Sequence, residues 1–439
     1  MEAEQAREAE QLVRRLEREG GLDLEAAEFF IRRAMLAAGA RVLEQLLHSV
    51  GCGRRGAPLL CARLHPPVAM RSLGVRAKTL RTILGPVRWA RTLWRCDSCG
   101  ALRYPGDEAL GVVGTRFSPG ARRLMAQAGA RESFAQASAD LALYADLQAD
   151  AKDIERTTHA TGQVVEGWMA KQATQARLHP PQERPAILYV CYDGTGVPMR
   201  RAELAGTQGK GADGRARTRE VKLGCVFTQT TVDEEGRPLR DEASTSYVGA
   251  IQSSADFGHQ LHAEALRRGL ATAGRVVLIT DGAAYNQSIA QEHFPGALHI
   301  LDLFHAREHL AEFLRDIARL ALGGPEHAQL RALLDAGQID KLVAQMRAQL
   351  PASGPRRRAG QTAIAYFTAH AAAMRYEQFR AQGLFVGSGV IEAGCRTVIA
   401  QRLKRSGMFW SADGANALIA LRCCLASGRF EQFWEDSAA

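Results

Sequence analysis

The chain has 439 residues, of which 46% are hydrophobic and 23% charged. That is too long for one compact core and too apolar for a disordered chain, so about two to four domains are expected. Lysine and arginine number 56 against 47 aspartates and glutamates, a formal net charge of +9, which makes a polyanion a natural partner without requiring one.

Nine cysteines, an odd number in a chain opening Met1-Glu2-Ala3-Glu4, argue against a secretory leader and a disulfide framework. Apolar runs such as Arg275–Thr280 fall far short of the ~18 residues a membrane span needs. The expectation is a protein of a reducing cytoplasm.

Helical periodicity over residues 1–50 marks a helical N-terminal region, through Leu12, Leu16, Phe30, Ile31, Met35, Leu43, Leu46 and Leu47. Residues 51–110 turn to Gly, Pro, Cys and short β-type runs (87–90 and 92–94), predicting a small cross-linked module rather than a packed core. Residues 111–180 return to helix, with runs at 133–143 and 150–159 separated by a break near Asp146, a helix-turn-helix-like pattern. The proline-containing stretch 179–185 reads as a boundary.

Strand-like runs follow at 186–192, 220–229, 243–248, 275–280 and 297–301, with a helical run at 258–270 before the fourth. Three strands on short loops, then helix, strand, helix and strand, predict an α/β fold with a mixed sheet. Its first part spans 181–305; an α-helical insertion occupies 306–385; 386–439 returns a C-terminal helix and tail.

Asp193 and Asp281 each close a buried-type strand and precede glycine, which can set two carboxylates side by side at one sheet edge; Asp-Gly is equally ordinary turn chemistry. Glu392 sits early in an amphipathic helix whose Val390, Ile391, Val398 and Leu403 would face the sheet, with Ser388 as N-cap. Three carboxylates can share two Mg²⁺ or Mn²⁺ ions, the arrangement that serves in-line phosphodiester attack.

Cys96-Asp-Ser-Cys99, with Cys61 and His65 upstream, offers a tetrahedral zinc set; Cys52 is the other upstream candidate, and free thiols are the alternative. A redox pair lacks a surrounding βαβ pattern. On this ribbon Arg88, Arg91, Arg95 and Arg103 are candidate phosphate contacts. For reading DNA, Lys152, Arg156 and His159 share one helix face, while Arg396, Arg402, Lys404 and Arg405 accompany Glu392. Lys210, Arg215, Arg217 and Arg219 form another basic loop; no Gly-Lys-Ser/Thr follows, so no nucleoside triphosphate is expected.

From residue 55 to 425 the sequence resembles the ISKra-type insertion-sequence transposases, a bacterial DDE group with an RNase H-like core. The resemblance rests on Asp193-Gly-Thr-Gly-Val-Pro198, Glu220-Val-Lys-Leu-Gly224, Thr280-Asp-Gly-Ala283, Phe294-Pro-Gly-Ala297, Ile300-Leu-Asp-Leu-Phe-His305 and Gly387-Ser-Gly-Val-Ile-Glu392. It continues through Gln401-Arg-Leu-Lys404, Ser406-Gly-Met408 and Trp410-Ser411. It implies that Asp193, Asp281 and Glu392 are the metal-binding catalytic acids, and that Asp302 and His305 support them. It further implies terminal-repeat and target DNA as partners, 3′-end cleavage followed by strand transfer, a homodimer or higher multimer on DNA, and a place at the bacterial nucleoid. The family usually carries a paired cysteine knuckle where this chain has only Cys61, so His65 or Cys52 must complete the zinc set or the site is degraded.

Two other classes compete. A DNA-binding protein derived from a transposase would keep the ribbon and helices without the chemistry. His305-Ala-Arg-Glu-His309 also fits the H-x-x-E-H zinc-peptidase pattern, with Glu308 as base.

Overall fold

The computed structural model describes residues 23–49, 59–63, 66–179, 181, 184–207 and 216–438. His65, Cys52, Lys210 and Arg215 lie outside them, as does the first part of the helical N-terminal region. The chain forms two compact units, one up to Thr158 and one from His159.

The first unit opens with helix α1 (Leu24–Ser49). Short strands β1 (Leu60–Cys61) and β2 (Val68–Ala69) pair with each other. A long hairpin follows, β3 (Arg71–Thr82) and β4 (Gly85–Arg95), with β5 (Leu102–Arg103) added on the β4 edge. The two short β runs expected at 87–94 are therefore one strand, because β3 pairs along its length. The module is also packed, contrary to expectation. Leu80, Trp89 and Val112 are buried together, with Leu47 of α1 and Leu110 against them.

One buried ionic cluster fastens this hairpin to α2 (Pro105–Ala109). Asp107, 3% exposed, accepts from Lys78 Nζ at 3.0 Å and from Trp89 Nε1 at 3.1 Å, and Arg91 Nε lies 3.1 Å away. Arg91 also donates to the carbonyls of Arg76 and Ala77 and lies over the Tyr104 ring. It is thus committed to the core rather than presented to phosphate. Arg103 pairs with Glu108, whereas Arg88 and Arg95 are exposed.

Three helices complete the unit. Ser118 caps α3 (Pro119–Arg131) and Ser133 caps α4 (Phe134–Ala145), each accepting a backbone N–H in the first turn. Asp146 then adopts the left-handed conformation, φ 49°, which ends α4 at the expected break. Asp150 Oδ1 accepts from the Asp153 N–H at 2.8 Å and starts α5 (Ala151–Leu178). Phe117, Met125, Leu141, Leu147 and Ile154 form the shared core. α5 runs unbroken for 28 residues, and the division between the two compact units falls inside it.

The second unit is a mixed α/β structure around a five-stranded sheet, order β10-β7-β6-β11-β12. Its strands are β6 (Ile187–Pro198), β7 (Thr218–Gln229), β10 (Ser246–Ala250), β11 (Arg275–Thr280) and β12 (Leu298–Leu301), the short pair β8 (Thr231–Val232) and β9 (Pro238–Leu239) standing apart. β6, β7 and β10 form an antiparallel meander, and β11 and β12 run parallel to β6. The crossover helices are α6 (Ser254–Arg267) and α7 (Ala284–His293).

Alternation along β6 divides the core. Leu188, Val190 and Tyr192 pack with Phe257, Leu261, Ile289 and Phe294 of the α6 and α7 side. Tyr189 stacks on Phe227 of β7, with Phe385 edge-on. After β12 the chain is helical, with α8 (Leu303–Glu312), α9 (Pro325–Asp335), α10 (Ile339–Ala348), α11 (Pro355–Ala369) and α12 (Tyr376–Ala381). It returns to the sheet through α13 (Gly389–Gly394), a π-helical stretch Cys395–Ala400, α14 (Gln401–Leu403), α15 (Ala412–Ala426) and α16 (Phe430–Ala438). No helix among the described residues is long and apolar enough to cross a membrane.

Removing Asp107 leaves the Lys78 and Arg91 cations with no carboxylate at a site only 12–14% exposed. Asp107→Ala is expected to cost roughly 3–5 kcal/mol, read as a lower urea midpoint for the transition followed by Trp89 fluorescence. An unchanged midpoint would contradict this.

Candidate active site

Asp193 lies within β6 rather than after it. The strand runs to Pro198 because Thr218–Leu223 of β7 continue to pair with it, Asp193 opposite Leu223 and Gly194 opposite Lys222. The Gly-Thr-Gly that reads as a turn is thus accommodated in the ladder.

Cys191 of β6 is level with Ile279 of β11 in the parallel pairing. Two residues further along each strand come Asp193 and Asp281. Asp193 is thus still in β6 while Asp281 directly follows the end of β11, near enough for its charge to act on Asp193. Burial raises the Asp193 pKa above the usual carboxylate range; the Gly194 N–H bond lowers it and the charge of Asp281 raises it further. The Cys395 thiol, itself pushed up to about 12 by burial and the Asp193 charge, donates to Asp193 Oδ2 at 3.8 Å. His305 is near enough to favour the ionised form of Asp193.

Asp281 is held by the start of α7. Its Oδ1 accepts from Ala283 N–H at 2.9 Å and from Asn286 Nδ2. The Asn286 carbonyl accepts in turn from Tyr192 OH at 2.7 Å. Gly282 is left-handed, φ 82°, and a Cβ there would stand 2.6 Å from Leu301 Cδ1, so the turn that aims Asp281 demands glycine. The Tyr366 hydroxyl, its pKa raised first by burial and then by the Asp281 charge, donates to the Asp281 carbonyl at 3.3 Å.

Glu392 is exposed on α13. Ser388 stands at the N-cap of this helix as expected, but its side chain makes no cap bond; its Oγ donates to Glu392 Oε1 at 2.8 Å, while its N–H donates to Asp302 Oδ2 at 2.6 Å. Asp302 is 1% exposed, and its other oxygen caps α8 by accepting from Phe304 and His305 N–H. Asp302 is therefore a positioning residue that ties α8 to the start of α13. Cys395 lies between the acids, raised by the charges of Asp193 and then Glu392. Glu392, Ser388, Asp302 and the His305 N–H are thus linked by hydrogen bonds, while Asp193 feels the charges of Asp281 and His305. The three acids do not form a group with every ligand atom within 4.8 Å; among the described residues such groups of three occur at Cys61, Cys96 and Cys99, and at His259, Glu292 and His293.

The basic candidates divide. Arg396, Lys404 and Arg405 are exposed, with Lys404 Nζ donating to Thr195 Oγ1 at 2.5 Å. Arg402 is fully buried, over the Trp410 ring with Nη1 3.3 Å from Met408 Sδ, and burial pushes its pKa down to about 10. It is a core residue, not a surface contact; the π-helical stretch before it changes the helical phase, which a regular period does not anticipate. Lys152 and Arg156 are exposed, paired with Glu155 and Asp153. The His159 ring instead packs edge-on to Trp410.

His305 and His309 stand ring to ring at 4.8 Å, near Glu308 and Glu312 respectively, and His309 also lies over Tyr366. Among the described residues no further donor gathers with this pair into a three-ligand cluster. The eight described cysteines are free. The Sγ atoms of Cys61 and Cys99 are 3.6 Å apart beside buried Cys96. Asn286, Ser388, Cys395 and Tyr366 were not foreseen as site residues, because neutral partners carry no spacing signal in a sequence.

No family model matches the chain. It is 24% identical over 355 residues to the UPF0236 protein in vanSb 3'region of Streptococcus gallolyticus, covering 76% of this chain and 69% of that protein. Among solved structures it is similar to the Drosophila P element transposase strand transfer complex, with TM-score 0.35 and 9% identity over 70% of this chain and 92% of that one.

A carboxyl whose pKa is raised by folding contributes stability below its unfolded pKa and loses it as pH rises through the folded one. Metal-free Asp193→Asn is therefore expected to melt higher than wild type at pH near 7, by a few degrees on the order of a small charge relief. The difference should close below about pH 4, where the wild-type carboxyl is protonated in both states. Equal melting at neutral pH would refute the buried-charge reading.

Proposed function

We propose that the chain is a DDE transposase with an RNase H-like core. The observation that carries this reading is that Asp193 in β6 and Asp281 just past the neighbouring parallel strand β11 feel each other's charge, with Glu392 tied through Ser388 to Asp302. The antiparallel meander followed by two parallel strands, and the helical segment between β12 and α13, are what the sequence resemblance implies.

The donor set fits hard divalent cations, since carboxylate oxygens suit Mg²⁺ and Mn²⁺ and each ion needs few protein ligands. Asp193, Asp281 and Glu392 would hold them, and the ions would supply charge stabilisation and a more acidic water. The chain's own groups do the positioning. Asn286 and the Ala283 N–H keep one Asp281 oxygen occupied, and Ser388 keeps one Glu392 oxygen occupied, so the remaining oxygens are free to face substrate. Arg396, Lys404 and Arg405 would hold the phosphate backbone. Water first breaks a P–O3′ bond and frees a 3′-hydroxyl; that hydroxyl then displaces a target 3′-oxygen from phosphorus, conserving the number of phosphodiester bonds.

In the first unit α3, α4 and α5 would engage element ends, with Lys152 and Arg156 exposed for contact. Cys61, Cys96 and Cys99, all within 4.8 Å, suit a structural zinc, the fourth ligand being His65 or Cys52 outside the described residues. Cys96→Ser is expected to remove about one thiolate-ligated Co²⁺ per chain, seen as loss of the sulfur charge-transfer band; retention of the band would exclude the site.

With terminal-repeat DNA and Mg²⁺ or Mn²⁺, the purified chain should nick and join strands. Asp193→Asn, Asp281→Asn and Glu392→Gln should each reduce this by about 10²-fold or more while leaving DNA binding intact. Tight specific binding without cleavage by the wild type, across a metal titration, would favour the non-catalytic DNA-binding reading.

A further inference from the structure

A second cluster of metal-type donors lies away from the acidic corner, where α6 meets the C-terminal end of α7. His259 comes from α6, and Glu292 and His293 close α7. Their ligand atoms all lie within 4.8 Å of one another. The His259 and His293 rings are 4.7 Å apart, and Glu292 Oε1 is 3.9 Å from His293 Nε2. The His293 side chain is only 6% exposed, yet Nε2 has no hydrogen-bond partner. Buried polar nitrogens are ordinarily satisfied, so an unpartnered one facing two further donors asks for a ligand.

The local sequence makes room for this imidazole. A Cβ at residue 258 would stand 2.4 Å from His293 Nε2, so Gly258 is what lets the ring lie against α6. His259 and Glu292 are exposed, which leaves the approach open from solvent. Arg177 Nη2 meets the His259 carbonyl at 3.4 Å, steadying the backbone that carries the ligand.

We infer that His259, Glu292 and His293 form a binding site for a divalent transition metal of the zinc class. Two imidazoles and one carboxylate are a borderline-soft set that prefers Zn²⁺ or Co²⁺ to Mg²⁺, with water completing the coordination. The metal ties the end of α7 to α6. Since α7 begins just after Asp281 and carries Asn286, the site anchors the far end of the helix that orients one acid.

The test is a Co²⁺ titration of the full chain carrying Cys96→Ser, in excess Mg²⁺ to occupy the carboxylate corner. It should show about one Co²⁺ with a visible ligand-field band and no sulfur charge transfer, and Zn²⁺ should displace it. His259→Ala and His293→Ala should each weaken binding by at least about tenfold and abolish the Zn²⁺-dependent rise in melting temperature. Because His259 is exposed, its variant is not expected to unfold. Should Cys96→Ser itself fail to fold, His259→Ala in the otherwise natural chain should remove the thiolate-free band alone. No thiolate-free band, or one unaffected by either histidine variant, overturns the site.

Discussion

Two like charges are brought close together beside one sheet, and each is held by donors from elsewhere in the second unit. β6 and β11 are parallel and in register, so ionised Asp193 and Asp281 repel each other in a partly buried setting where repulsion is poorly screened. Each is given donors: the Gly194 N–H and Cys395 thiol for one, and Asn286 and the Ala283 N–H for the other. The raised pKa of Asp193 records burial first and the Asp281 charge after it, beyond what those donors offset. A corner that stays unfavourable until positive charge arrives is suited to binding cations, which is the physical basis of the proposed function.

The supports for this corner come from distant parts of the chain. Asp302 uses one carboxylate oxygen to start α8 and the other to hold the Ser388 N–H, and Ser388 in turn holds Glu392. Tyr366, from within the helical segment, reaches the carbonyl of Asp281. The helices between β12 and α13 are therefore not merely an excursion from the sheet, since their side chains contribute to the rigidity of the acids. The π-helical turn after Glu392 belongs to the same device. It places Cys395 against Asp193 and turns Arg402 inward over Trp410.

Periodicity and turn chemistry made the elements readable. The five strands and the α6 run lie close to the expected positions, and the left-handed Asp146 stands at the expected break. Reading failed where a local signal met a long-range partner. Gly194-Thr-Gly196 has turn composition but is held in strand by β7, and Ser388 has cap composition but spends its hydroxyl on Glu392. The Gly, Pro and Cys of the 51–110 segment suggest a cross-linked module rather than a packed core, yet Trp89, Leu80 and α1 give it a core.

What the linear chain determined by itself was the alternation that makes each strand two-faced, the caps that start α3 and α4, and the identity of the acids worth watching. These depend on neighbours within a few residues, where backbone geometry fixes direction. Only the tertiary structure decided that Asp193 and Asp281 come near each other, that Arg91 is held by Asp107 and Arg402 is buried rather than presented, and that His259 meets His293. Those outcomes depend on strand register and on helix phase across a π-turn, in which partners tens or hundreds of residues apart choose among alternatives that are locally almost equal in energy.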